Sequence, residues 1–321
     1  MVKTIASVPL PVLENLCIKK NRLEGGVEKN KKRLSVVTGI HGDELEGQYV
    51  CFALNRIVKE HPECLNGILD IYPAMNPLGI DSITRGFPGF DLDMNRLFPG
   101  DMKGTMTEVL AALIMQDLSG SDLAIDIHAS NIFLTEIPQV RINTLHKEKL
   151  VPIAKKLNVD LIWVHSNSTV LESTFAFSLN SRNIPALVVE MGVGMRITKS
   201  YCNQLVSGIL FVMSSMGMWS GPVEQPKEPV IVDSDDDVLF LNAPSAGIFI
   251  STAKHGSFLE EGEEIGMIVN PLTGDTAEVL KSPGRGLLFT IREYPVVNEG
   301  SLIARVLKRE ENQLQTKEEQ K

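Results

Sequence analysis

Short apolar runs that fail to alternate constrain this chain more than any other feature. Residues 34–40, 68–73, 123–127, 161–164 and 186–189 are apolar almost throughout, the pattern of strands buried on both faces. Between them, residues 44–59, 107–118, 172–181 and 199–216 carry helical periodicity. Thr105 with Glu108 offers a capping-box start to the second of these helices. The expectation up to about residue 221 is an α/β layered domain, its sheet covered by helices on both sides.

The stretch GPVEQPKEP, residues 221–229, has three prolines and little to bury, so it reads as a linker. Beyond it the texture changes to short β-runs, turns and glycines. AGIFISTAKHGSFLEEGEEIGMI from Ala246 and RGLLFTIREYPVVNEGSLIARV from Arg285 share a glycine, an apolar pair, an apolar run and an "EG" turn. A duplication of this kind predicts a small pseudo-symmetric β-barrel or sandwich. The chain of 321 residues is therefore divided as 1–222 for the catalytic domain, 223–229 for the linker, 230–309 for the β domain and 310–321 for a polar tail.

Bulk properties exclude some partners. A net charge of −9 argues against nucleic acid and anionic membranes. The N-terminus lacks the apolar core of a signal peptide, and no apolar stretch reaches bilayer-spanning length. The four cysteines, Cys17, Cys51, Cys64 and Cys202, show no metal spacing and suit free thiols in a reducing cytoplasm.

Chemistry concentrates where the apolar runs end. His41 and Glu44, in "GIHGDELEG", are three apart at a strand-to-helix junction. If Glu44 opens the helix, both can face one spot above the carboxyl edge of the sheet, where open α/β sheets place ligands. Two side chains make a poor metal site, and His128 in "DLAIDIHAS" is the best third ligand. A His, Glu, His set leaves one position for water, as in catalytic zinc sites. Asp43 and Asp126 are candidates to brace these ligands. Each histidine alone reads equally well as a turn residue; two at equivalent strand ends favour the metal. Glu190 in "ALVVEMGVG" ends another apolar strand and is a candidate proton shuttle, or else a cap or surface residue. The Gly/Pro-rich loop "RGFPGFDLDMNRLFPG" carries Arg85, Asn95 and Arg96, suited to carboxylates or carbonyl oxygens. The alternative reading of Asp91 and Asp93 is that they simply neutralise the arginines.

"HGDE", "MNRLFPG", "DIHAS" and "EMG", in this order, resemble the succinylglutamate desuccinylase/aspartoacylase family of the zinc carboxypeptidase-like group, over about residues 34–220. The resemblance implies a mixed, mostly parallel sheet flanked by helices. It also implies one Zn2+ per chain on His41, Glu44 and His128, with Glu190 as general base and acid. Asn95 and Arg96 match the family's binders of the substrate carboxylate, and Arg85 the arginine that polarises the scissile carbonyl. Arg141 is a candidate for a further pocket arginine. The implied reaction is metal-assisted hydrolysis of the amide of a small N-acyl amino acid or diamino acid; a zinc carboxypeptidase acting on short peptides is the alternative. "HGDELEGQ" and "MNRLFPG…GTMTE" look most like the branch containing the acetyl-diaminobutyrate deacetylases.

The C-terminal segment resembles biotinyl/lipoyl-like barrel-sandwich domains. In lipoyl domains the modified lysine stands on a hairpin shortly before an "SP" turn, and counting back from Ser282-Pro283 reaches Gly274-Asp275, with no lysine. The expectation is an unmodified accessory domain packed near the cleft or in an oligomer interface, in a cytoplasmic homo-oligomer acting on a small N-acylated substrate.

Overall fold

The computed structural model describes residues 1–27, 31–89, 91–165 and 172–309. The expected polar tail, from residue 310, lies outside the described residues, as does Phe90 of the arginine-bearing loop.

Strands β1 (Val2–Pro9) and β2 (Asn15–Gly25) form an antiparallel hairpin. It is joined to β3 (Arg33–Thr38), β4 (Gly67–Tyr72), β5 (Leu123–Ser130), β6 (Leu134–Asn143), β7 (Leu161–His165) and β8 (Ala186–Val193) in one sheet. Its order runs β1-β2-β4-β3-β5-β8-β6, with β7 against β6. The centre, β4-β3-β5-β8, is parallel, while β2 meets β4 and β6 meets β8 antiparallel.

Among the described residues six α-helices cover the sheet: α1 (Glu46–Glu60), α2 (Pro77–Ser82), α3 (Met106–Leu118), α4 (Lys147–Ala154), α5 (Phe175–Ser181) and α6 (Lys199–Ser215). Alternate residues of each central strand go to opposite layers. Leu34 and Val36 pack with Val50 and Leu54 of α1 and Leu205 and Ile209 of α6. Val37 and Ala124 pack with Leu110 and Ile114 of α3 and Phe175 of α5. Since both faces are sealed, β5 is buried along its whole length. The capping box of α3 is present, Thr105 N donating to Glu108 Oε2 at 2.7 Å. Among the described residues no helix is long and apolar enough to cross a membrane.

The remainder comprises β9 (Val230–Val232), β10 (Val238–Asn242), β11 (Gly247–Ser251), β12 (Phe258–Leu259), β13 (Glu264–Asn270), β14 (Asp275–Lys281), β15 (Gly286–Arg292), β16 (Val296–Val297) and β17 (Leu302–Lys308). The duplicated segments become β11-β12-β13 and β15-β16-β17, and their pairings match by symmetry. β11 takes β13 and β16, while β15 takes β17 and β12, so each copy lends its short middle strand to the other. Gly262 and Gly300, of the two "EG" turns, have φ of +79° and +80°, a conformation that suits glycine. The hairpin between β13 and β14 carries Pro271 to Gly274 and no lysine.

Two junctions tie this part to the first. β9 continues the sheet in parallel beside β7. The outer edge of β6 is divided, residues 134–136 pairing with β15 and 139–143 with β7. Pro138, lacking a backbone donor, stands between the two pairings. The sheet is therefore continuous through 13 strands.

Candidate active site

Three strand ends build the site. The chain leaves β3 at Thr38, turns through Gly39, and presents His41 and Glu44 in a loop before α1, which starts at Glu46 rather than at Glu44 as the sequence suggests. His128 and Glu190 are direct partners in register on β5 and β8, and both belong to their strands rather than following them. His41, Glu44, Arg85, Asn95, Arg96, His128 and Glu190 all line one cavity of roughly 670 Å³.

The ligand-capable atoms of His41, Glu44 and His128 all lie within 4.8 Å of one another. His41 Nδ1 is 2.7 Å from Glu44 Oε1, His128 Nδ1 is 2.8 Å from Glu44 Oε2, and the two Nδ1 atoms are 3.2 Å apart. The opposite nitrogens are braced by carboxylates: His41 Nε2 by Asp93 Oδ1 and His128 Nε2 by Asp126 Oδ2, each at 3.0 Å. With a single proton on each Nε2, both Nδ1 lone pairs would be free to hold a cation beside Glu44.

The charge balance tests whether a cation belongs there. Three carboxylates, Glu44, Asp93 and Asp126, surround two imidazoles, with Arg85 donating to Glu44 Oε1 at 2.8 Å. Burial opposes charge on His128, yet Asp126 and Glu44 hold its pKa well above the ordinary value. Burial likewise opposes charge on Glu44 and Asp93, but the histidines prevail, holding Glu44 well below its usual range and Asp93 down to about 2. The pocket is built to hold positive charge, and a divalent ion on N, O, N donors fits it.

Asp126 therefore stands where the sequence suggests. Asp43 does not: its Oδ1 is buried without a partner among the described residues and its carbonyl accepts from Met195 N. Asp93 takes the place beside His41 while remaining 3.8 Å from both Arg85 and Arg96, so the neutralising role also holds. Asn95 Oδ1 accepts from Phe175 N at 2.8 Å, which fixes its amide at the rim. Arg96 donates to the Asn95 carbonyl and is 42% exposed, leaving much of its guanidinium open to the cavity.

Among the described residues, Glu190 hydrogen-bonds none of His41, Glu44 and His128. Arg141 Nη1 approaches its Oε1 to 3.8 Å. Burial pushes the Glu190 carboxyl up to about 7, against the pull of Arg141 and His128. The following turn is tight: Gly192 has φ +68°, and a Cβ there would lie 1.9 Å from Glu46 Oε1. Among the lining residues that sequence reasoning missed are Glu136, Trp163, His146 and Arg305. None follows a strand-end motif, and Arg305 belongs to β17, more than 100 residues beyond Glu190.

The catalytic-domain profile of the succinylglutamate desuccinylase/aspartoacylase family matches residues 30–216. The chain belongs to this family. Among individual relatives, it is 25% identical over 273 residues to the N-alpha-acetyl-L-2,4-diaminobutyric acid deacetylase of Halomonas elongata, covering 83% of this chain and 79% of that protein. The crystal structure of a succinylglutamate desuccinylase/aspartoacylase from Rhodobacter sphaeroides superposes with a TM-score of 0.79 at 25% identity, over 96% of both chains. The product-bound ectoine utilization protein of Ruegeria pomeroyi shares the fold, with a TM-score of 0.80 at 20% identity over 95% and 94% of the chains. As a member of the desuccinylase/aspartoacylase family the chain is a hydrolase of amide bonds.

Proposed function

We propose that this chain is a zinc-dependent deacylase that hydrolyses the amide of a small N-acyl amino acid or N-acyl diamino acid, releasing a carboxylate and a free amine. The observation that carries the reading is the convergence of two imidazole Nδ1 atoms and one carboxylate in the cavity that also holds Glu190. His41, Glu44 and His128 would hold one zinc ion per chain. Bound there, zinc would supply Lewis acidity and lower the pKa of water toward neutrality.

The remaining steps fall to this chain's own residues. Glu190, its pKa near 7, accepts a proton from the attacking water and returns it to the departing nitrogen. Arg85, at the edge of the cluster, carries positive charge to the oxygen that becomes anionic. Asn95 and Arg96 hold the substrate's carboxylate at the rim. The likeness to the Halomonas deacetylase supports an acylated diamino acid within this class. The four free cysteines accord with a cytoplasmic enzyme.

The test is a hydrolysis screen on metal-quantified protein, setting N-acetyl and N-succinyl amino acids and N-acetyl diamino acids against short peptides. Release of free amine from the acyl amino acids is expected. Cleavage confined to peptides would make the chain a carboxypeptidase instead.

A further inference from the structure

Arg305 reaches the active-site cavity from the C-terminal β-strands. Glu136 of β6, Thr290 of β15 and Arg305 of β17 are successive partners across three strands, and Glu136 in turn faces Gly192 of β8. This row carries a polar chain. Arg305 Nη1 donates to Glu136 Oε1 at 2.7 Å, and Thr290 Oγ1 points at the same oxygen at 3.4 Å. Arg141 Nη2 donates to both Glu136 oxygens at 2.9 Å. In a regular strand, residues five apart face opposite ways. The irregular register between Glu136 and Gln139 lets Arg141 and Glu136 share a face. Trp163 lies against both guanidiniums, each 5.8 Å from its ring.

Glu136 is 1% exposed and serves two arginines at once. Arg305 Nη1 shares Oε1 with Arg141, and Glu136 meets Arg141 through Nη2 alone. Arg141 Nη1 is thereby left facing Glu190 at 3.8 Å. Without Arg305, Glu136 is free to pair fork-to-fork with Arg141, the arrangement that arginine and carboxylate prefer. That pairing would draw Nη1 away from Glu190.

We infer that Arg305 is a positioning residue: through Glu136 it holds Arg141 at the Glu190 carboxylate, so the site is complete only when β17 has joined the sheet. The inference rests on the reading of Glu190 as the proton carrier. It is tested on the full-length protein by a double-mutant cycle of Arg305→Met and Arg141→Met, assayed with the best acyl amino acid of the screen. Thermal midpoint and metal content are measured alongside, and Arg305→Gln takes the place of the Met variant if the latter does not fold.

Arg305→Met is expected to lower kcat on the order of tenfold with KM changed less than about twofold, since it displaces a group rather than removing a substrate contact. Arg305→Lys should restore kcat to within about threefold. In the Arg141→Met background the same change should cost less than about twofold, because the effect passes through Arg141. Equal losses in both backgrounds, no loss at all, or a rise in KM alone would overturn the inference. Glu190→Gln separates the two levels: wild-type turnover in that variant would discard the proton-carrier reading itself, whatever the cycle shows.

Discussion

At the scale of single residues, Glu190 carries opposed demands on activity and stability. Its carboxyl is lifted to about 7 by burial, from an ordinary value of 4.5. An acid with a raised folded-state pKa favours folding at pH below its ordinary value, and that advantage is lost as pH rises through about 7. In metal-free protein Glu190→Gln removes this penalty, so the variant should be more stable than wild type at pH 8 by about 1–3 kcal/mol and no more stable at pH 4. Its kcat should fall at least a hundredfold with metal content unchanged. Calorimetry of metal-stripped protein at the two pH values, with turnover and metal analysis on the metal-loaded protein, checks all three outcomes. For the intact enzyme, activity should rise with pH as Glu190 ionises. A bound divalent ion favours the carboxylate and would draw that limb below 7. The histidine brackets separate two further roles. His128→Ala should lose both metal and turnover. Asp126→Asn keeps the Nδ1 donor but weakens the brace on Nε2, so metal affinity should drop about 10–100-fold. Competitive titration with a chelator distinguishes them, and an Asp126→Asn protein with unchanged affinity would deny the brace its role.

At the scale of elements, the central strands and the convergence of the candidate site residues at their ends were legible because both leave concentrated signals. The uniformly apolar runs became β3, β4, β5, β7 and β8, and the histidines and Glu190 stood at their ends. β6 was not legible, because Pro138 and polar Glu136, Gln139 and Arg141 break its apolar run. The hairpin β1–β2 was hidden for a similar reason, with Lys19, Lys20 and Arg22 punctuating β2. One of these lysines is buried all the same. Lys20 is 3% exposed and bonds Asp70 at 3.0 Å and Asp117 at 2.7 Å, while Arg22 and Arg33 also reach Asp70. Only the folded sheet brings these charges together, so pattern reading treats each as a surface residue. Burial alone would raise the Asp70 carboxyl, but the bonds from Arg22 and Lys20 and the charge of Arg33 overcome it and hold it below the usual range. A depressed carboxyl contributes stability above its ordinary value and gives it up only as pH falls through the lowered one. Asp70→Asn should therefore cost about 3–5 kcal/mol at pH 7, leaving three cations short of their counter-charge. The difference from wild type should narrow on strong acidification. Denaturant unfolding across pH 2–7 measures it, and a loss below about 1 kcal/mol at pH 7 would show the cluster to be dispensable.

At the scale of the whole molecule, the two halves of the sequence share one sheet and one apolar cluster. Ile137 and Leu161, from before the proline-rich stretch, pack in a single cluster with Val232, Leu287, Phe289 and Leu307 from after it. The β6 residues that pair with β15 are the same ones that bring Glu136 to Arg305. A chain ending at residue 229 would bare this apolar surface and open the edge of β6 at 134–136, the kind of exposed edge that invites aggregation. It would also leave Glu136 without Arg305. The expectation is that residues 1–229, expressed alone, are aggregated or unfold well below the full-length protein, and that any soluble fraction has lost most of its turnover. Size-exclusion chromatography, thermal melting and the amide-hydrolysis assay on one preparation decide it. A monodisperse 1–229 fragment with full-length stability and rate would mean that the C-terminal strands only decorate a finished enzyme. The shared sheet, the shared cluster and the Arg305–Glu136 bond all argue that they complete it.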